Sequence, residues 1–208
     1  MGEPIRRLPD GFGSLAGWRS DYLARPAQLG APWPHAWPTL DMTWWGGPRS
    51  KYRAMEVCDK IFDRWPKRSL SIRATDNAGA ADAEVVVIAT PWDAAAATAR
   101  SVADHLHRKV VICMSNAIAQ VAGEFQPLVP PRGSVSASVQ AEVTDAYVAA
   151  ALHHVPAPEL GNLDHELASD VLVCSDHRRA TETVSEIISG FPGRPTAGCR
   201  RPVERHGL

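Results

Sequence analysis

Hydrophobic and polar positions change period several times along the chain, and the most uniform stretch is residues 83–93, AEVVVIATPWD. Val85 to Ala89 are apolar without a break, and Thr90, Pro91 and Trp92 then lead into an alanine-rich segment. A short unbroken apolar run ending in a turn predicts a buried parallel strand, and the segment beyond it predicts a helix over 92–107. A second helix is expected over 52–65, where Met55, Val57, Cys58, Ile61, Phe62 and Trp65 recur at helical spacing and Pro66 ends the run. Leu70, Ile72 and Ala74 alternate as in a strand, and residues 77–81 suit a small-residue turn or short helix. Further strands are predicted over 109–114, 147–152 and 170–174, with helices over 134–143 and 177–189, the last stopped by Gly190. Between them, Ser115 and Asn116 open a loop that runs on through Pro127, Pro130, Pro131 and Gly133.

Strand and helix alternate from residue 52 to residue 190, which predicts an α/β fold with a doubly wound, mostly parallel sheet. In such sheets ligands bind beyond the carboxyl ends of the strands, so the turn Thr90-Pro91-Trp92 is a candidate site wall. The two ends of the chain differ from this middle. Residues 1–48 interleave Trp18, Trp33, Trp37, Trp44 and Trp45 with Pro26, Pro32, Pro34 and Pro38, a density of proline that opposes helix interiors and central strands. This segment reads as irregular, and so does 194–208. A Trp/Pro-rich segment suits a partner-binding arm, which makes a non-catalytic binding or assembly module the alternative reading of the protein. No glycine-rich turn of the G-x-G-x-x-G type follows any predicted strand.

Composition narrows the function classes. A net charge of −1 with both signs mixed gives no field for nucleic acid. Cys58, Cys113, Cys174 and Cys199 lie far apart without metal-ligand spacing and read as reduced cysteines of a cytoplasmic protein, most of them in the core. No apolar run approaches membrane-spanning length, so neither a membrane nor a nucleic acid is an expected partner. His153 and His154 are adjacent at a predicted strand end and should point apart, which argues against joint metal binding. His105 and His107 read as surface residues. Taken alone, Arg49 suits a solvated turn and His153 a hydrogen-bonded structural residue.

Several segments, in order, resemble the NADPH-dependent reductases of the deazaflavin coenzyme F420, also called F420-dependent NADP oxidoreductases. They are GPRSKYRAMEV from Gly47, VVVIATPWD from Val85, VPPRGSV from Val129, AALHHVPA from Ala150 and LDHELASDVLVCSD from Leu163. The resemblance implies a Rossmann-like NADP-binding domain over 49–193, without the family's small C-terminal helical domain, and NADP(H) and coenzyme F420 as small-molecule cofactors. Homo-oligomer formation is left open. The family begins with a strand, a G-x-T-G-x-x-G turn, a helix and a second strand. This chain has only the end of that pattern, at Gly47 to Ser50, so the first strand and glycine loop are expected to be degraded or absent. Single-codon tryptophan and methionine make a frameshift the expected cause, since a shifted frame across Met42 to Trp45 compels Asp and Val and permits the missing loop over 23–30.

The resemblance also implies roles. Arg49, Ser50 and Lys51 match the segment that holds the 2′-phosphate of NADP, with Pro48 where the family has serine; a planar guanidinium pairs two phosphate oxygens. Thr90, Pro91 and Trp92 match the wall beside the nicotinamide, Ser115 and Asn116 the next turn along the sheet, and His153 the histidine near the deazaflavin. Hydride transfer needs the two rings held face to face, and no catalytic acid, base, nucleophile or metal is expected. Without its phosphate loop the chain is expected to bind NADPH weakly, so an active reductase and an inactive relative are both open.

Overall fold

Val85–Ile88 is the strand that its unbroken apolar run predicts, and it lies against a second such strand, Val110–Cys113, in parallel register. In the computed structural model the described residues are 15–18, 42–44, 51–67, 72–160, 166–191 and 197–199. Along them run β1 (Leu15–Trp18), β2 (Met42–Trp44), α1 (Lys51–Arg64), β3 (Ile72–Ala74), α2 (Asn77–Ala81), β4 (Val85–Ile88) and α3 (Trp92–Ser101). A 3-10 turn (Ala103–His105) leads to β5 (Val110–Cys113), β6 (Ile118–Val121), β7 (Glu124–Pro127), α4 (Val135–Glu142) and β8 (Tyr147–Ala150). Last come α5 (Ala157–Leu160), β9 (Val171–Val173), α6 (Arg178–Ser189) and β10 (Ala197–Cys199).

The main sheet has the order β3-β2-β1-β4-β5-β8. Alternation along β4, β5 and β8 divides the core in two. Val86, Ile88, Val111, Cys113 and Val148 face Ala95 and Ala99 of α3, Leu106, and Val135 and Val139 of α4. Val85, Val110, Ile112 and Ala149 face the other way, onto Val171 and Val173 of β9 and Ala180, Val184, Ile187 and Ile188 of α6. Each fully buried valine or isoleucine stabilises the fold by roughly 1.5–3 kcal/mol relative to an exposed one, so both faces must be covered, and that is what a doubly wound sheet does. The α/β, Rossmann-like expectation is borne out in architecture.

Five details differ from the sequence reading. The stretch 1–48 is not wholly irregular, because β1 and β2 complete the middle of the sheet. The slot of the expected first strand is filled, but by a strand running the other way: Leu15 pairs with Ile88 and Trp18 with Val85, antiparallel. The edge of β4 presents unpaired backbone groups, and a proline-free four-residue segment meets that demand whatever its side-chain pattern. The predicted loop after Asn116 contains the hairpin β6–β7, turned at Ala122 and Gly123, both at positive φ (51° and 88°), the geometry of a two-residue hairpin turn. The strand over 170–174 is not part of the main sheet: β9 pairs in parallel with β10, a strand inside the tail read as irregular, and touches β8 only through an isolated bridge between Ala150 and Cys174. The helix over 92–107 breaks at Val102, whose φ of −127° leaves helical geometry before the 3-10 turn.

Among the cysteines, Cys58 and Cys113 are buried and free as expected. Cys174 is free but exposed, because it follows Val173 and strand alternation turns it outward.

The outer edge of β8 is closed by side chains. Val148 N–H donates to Gln140 Oε1 (3.1 Å), and Ser175 Oγ donates to the Val148 carbonyl (2.6 Å). Gln140 Nε2 donates to the carbonyls of Val143 and Ala146, each at 3.0 Å, which fixes the amide orientation. His177 Nε2, 3.0 Å from Gln140 Oε1, must therefore donate to it. Gln140→Leu leaves these groups without partners and should cost roughly 2–4 kcal/mol of stability in urea unfolding. A loss below about 0.5 kcal/mol would mean the network adds nothing net.

Candidate active site

Parallel strands β4, β5 and β8 end on the same side of the sheet, and each is followed by a predicted site residue. After β4 the chain turns through Thr90 and Pro91 into α3; Pro91 takes the N-cap position with φ −50° and ψ 148°, and its carbonyl accepts the first helical hydrogen bond, from Ala94 N at 3.0 Å. Pro91 is exposed, whereas the Trp92 ring packs against the core cluster under α3. After β5, Ser115 Oγ donates to the Thr90 carbonyl at 2.7 Å and ties the two turns together. Asn116 is exposed, and its carbonyl accepts from Ile118 N at 3.0 Å as the hairpin begins. Beneath these turns, burial pushes the Cys113 thiol above its ordinary value, opposed by hydrogen bonds from Ser115. The thiol stays protonated and inert.

Two polar atoms at this end of the sheet are buried without partners. Thr90 is 8% exposed, and its Oγ1 makes no hydrogen bond. His153 Nδ1 is likewise buried and unpartnered. His153 and His154 do not point apart; their rings meet edge to face, 5.1 Å between centroids. The reason is that β8 ends at Ala150, so the pair lies in a turn, with Leu152 at φ 61°, rather than in extended backbone. Burial first, and the neighbouring His154 second, hold the His153 imidazole below its usual value of 6.5, so it is neutral at pH 7.

β1 is antiparallel to both β2 and β4, so β2 runs parallel to β4 and ends on the same side as the turns above. The backbone of Lys51 opens α1 beyond β2, while Arg49 and Ser50 lie outside the described residues. Sequence reasoning passed over two further polar groups. Asn77, beyond β3, and Glu159, on α5, each bury an oxygen without a partner. Neither has a signal in the sequence, since an orphaned atom is a property of packing. The exposed apolar side chains of the hairpin and the strap after it, among them Ile118, Phe125 (72% exposed) and Val129 (84%), also went unread because prolines obscure the local alternation. Among the described residues no group of His, Cys, Asp and Glu is arranged to hold a metal ion, and no helix is long and apolar enough to cross a membrane. A recess of about 370 Å³ lies at the opposite end of the sheet, lined by Asp104, His107, Glu142 and Asp145 among others, and contains none of the predicted site residues.

Stability should depend on pH through His153. Its pKa is lowered in the folded chain, so the unfolded chain takes up the proton first, and stability falls as pH drops from about 6.5 toward the folded value. Urea unfolding of the native chain and of His153→Asn between pH 7.5 and 5 should give converging stabilities on acidification; parallel curves would remove the imidazole from this dependence.

Residues 49–117, from before α1 through the turn at Ser115, match the family model of coenzyme F420-dependent NADP oxidoreductases. The chain is 27% identical over 158 residues to the F420-dependent NADP reductase of Methanocaldococcus jannaschii, covering 74% of this chain and 71% of that protein. The F420-dependent NADP reductase of Methanothermobacter marburgensis is likewise 27% identical, with coverages of 74% and 70%. Among solved structures, a candidate F420-dependent NADP-reductase of Arthrobacter sp. FB24 superposes with a TM-score of 0.53 at 20% identity, over 64% of this chain and 63% of that one. A hypothetical protein of Sinorhizobium meliloti superposes with a TM-score of 0.54 at 23% identity, over 74% and 76%. The structural likenesses support the fold. The family model over 49–117, which includes the ends of β4 and β5, and the two sequence relatives support assignment of the chain to the coenzyme F420-dependent NADP oxidoreductases.

Proposed function

We propose that the carboxyl ends of β4, β5 and β8 form a site for hydride transfer between NADPH and the deazaflavin coenzyme F420. The observation that carries this reading is the Thr90 hydroxyl, buried and unpartnered beside the Ser115 turn. An unsatisfied buried polar group costs roughly 1–3 kcal/mol, and a ligand amide or carbonyl at that point would return the missing hydrogen bond. The relatives named F420-dependent NADP reductases supply the ligand class. In this reading Thr90 and Pro91 form the wall beside the nicotinamide, with Ser115 and Asn116 continuing it, while the exposed Asn116 side chain is free to reach a ligand. Trp92 supports the wall from beneath through its contact with the core. His153, on the β8 side, offers Nδ1 to the deazaflavin as a neutral imidazole and adds no positive charge there. Arg49 and Ser50, which precede α1 in the sequence, and Lys51, its first residue, would take the 2′-phosphate.

The bound cofactors supply the redox chemistry itself, and the chain supplies orientation and a hydrogen-bonding wall. Bleaching of the F420 absorbance on anaerobic mixing with NADPH in excess tests the reading. Thr90→Val, which keeps the shape and removes the hydroxyl, should lower kcat/KM about tenfold, equivalent to about 1.4 kcal/mol. An unchanged rate would take Thr90 out of the site, and no F420 reduction at any NADPH concentration would overturn the proposed reaction.

A further inference from the structure

Resting on that reading, we infer that Asn77 receives the 6-amino group of the cofactor's adenine and makes the chain select adenine over other purines. Among the described residues Asn77, Thr90 and His153 each bury a polar atom without a partner, and each follows a strand of the main sheet. β3 runs parallel to β2, and β2 runs parallel to β4, because β1 is antiparallel to both β2 and β4. Asn77 therefore lies at the same end of the sheet as Thr90 and His153. The order β3-β2-β1-β4 puts three strand spacings between the Asn77 and Thr90 turns, roughly 14 Å at the usual separation of paired strands. A dinucleotide bound across the carboxyl ends of an open sheet places its two rings on either side of its pyrophosphate. The 2′-phosphate is carried on the adenosine ribose, and the proposed function has it at the start of α1, beyond β2; β3 is the next strand of the sheet. With the nicotinamide against Thr90, the adenine falls on the β3 side.

The chemistry at Asn77 fits the amino group of a neutral ring. The atom without a partner is Oδ1, an acceptor, so its complement is an N–H or O–H donor. The two side chains before it do not supply one. The Asp76 carboxylate is itself an acceptor and takes Gly79 N–H at 2.9 Å, and the Thr75 hydroxyl lies against Gly79, where a Cβ would collide with it. These contacts, with Ala80 N donating to the Asp76 carbonyl at 3.0 Å, hold the turn that carries Asn77 in one geometry. The Asp76 carboxylate also repels a phosphate at this point, which leaves a neutral donor as the complement. An asparagine amide can pair at once with the amino group and an adjacent ring nitrogen of adenine, the pairing by which proteins read adenine in DNA. Hypoxanthine and guanine carry a carbonyl oxygen in place of that amino group, and it would face Oδ1 as a second acceptor.

Fluorescence titration of the full chain with NADPH and with reduced nicotinamide hypoxanthine dinucleotide phosphate, which carries a carbonyl where adenine has its amino group, tests this. The native chain should bind NADPH about tenfold more tightly, and Asn77→Ala should bring the two dissociation constants within about twofold of one another. The substitution removes a buried atom that has no partner, so the fold should withstand it. Equal affinities in the native chain, as a ribose hydroxyl on Oδ1 would give, overturn the inference and leave the proposed function standing. A tenfold preference that survives Asn77→Ala also overturns it, since another group would then read the adenine. Saturable binding of neither dinucleotide, together with no reduction of F420, would remove the proposed function and the inference with it.

Discussion

Backbone pairing at the two flanks of the parallel trio β4, β5 and β8 is the constraint on which the rest of the fold depends. Every buried N–H and C=O must find a partner, and a sheet core buried on both faces has no water to offer. The chain meets this demand differently on each side. Beside β4 it places an antiparallel strand. Beside β8 it uses the Gln140 amide, the Ser175 hydroxyl and a single bridge from Cys174, with hydrogen bonds alternating at Val148 and Ala150 as strand geometry dictates. Both solutions hold the strand ends in one line, and the Thr90, Ser115 and His153 turns inherit their alignment from it.

At the other end of the sheet, ionic contacts do comparable service for the helices. Lys109 Nζ donates to the Ala81 carbonyl at 2.6 Å, placing a cation at the carboxyl end of α2, where the helix dipole favours it. Burial lowers the Lys109 pKa, and Asp82 and Glu84 act against that shift. Arg100 grips Glu142 through two hydrogen bonds of 2.6 and 2.7 Å and so fastens α3 to α4. His105 meets Asp82 at 3.0 Å on the surface. This end is braced by polar contacts that satisfy one another, whereas the other end leaves buried polar atoms of Thr90 and His153 open.

Local sequence carried the middle of the chain well, and for a physical reason. Val85 to Trp92 announces strand, turn and helix because burial on both faces demands an unbroken apolar run, and the helical spacing from Met55 to Trp65 is equally self-contained. The turns at Thr90 and Ser115 were therefore placed correctly at the sheet's carboxyl end, though nothing in the letters shows that the Thr90 hydroxyl goes unpaired. What escaped reading depends on partners distant in sequence. Leu15–Trp18 has no strand period and becomes a strand because an edge is waiting for it. Ala197–Cys199 does so beside β9. His153 and His154 were misjudged because their geometry is set by where β8 stops, not by their adjacency.

The antiparallel partner of β4 has an evolutionary consequence. Its pairing is made by groups that every residue except proline carries, so the slot selects hardly at all on amino-acid identity and accepts either polarity. A lineage can exchange the sequence there wholesale without dismantling the fold. The trio of strands and its turns is to that extent independent of which residues fill the slot beside it.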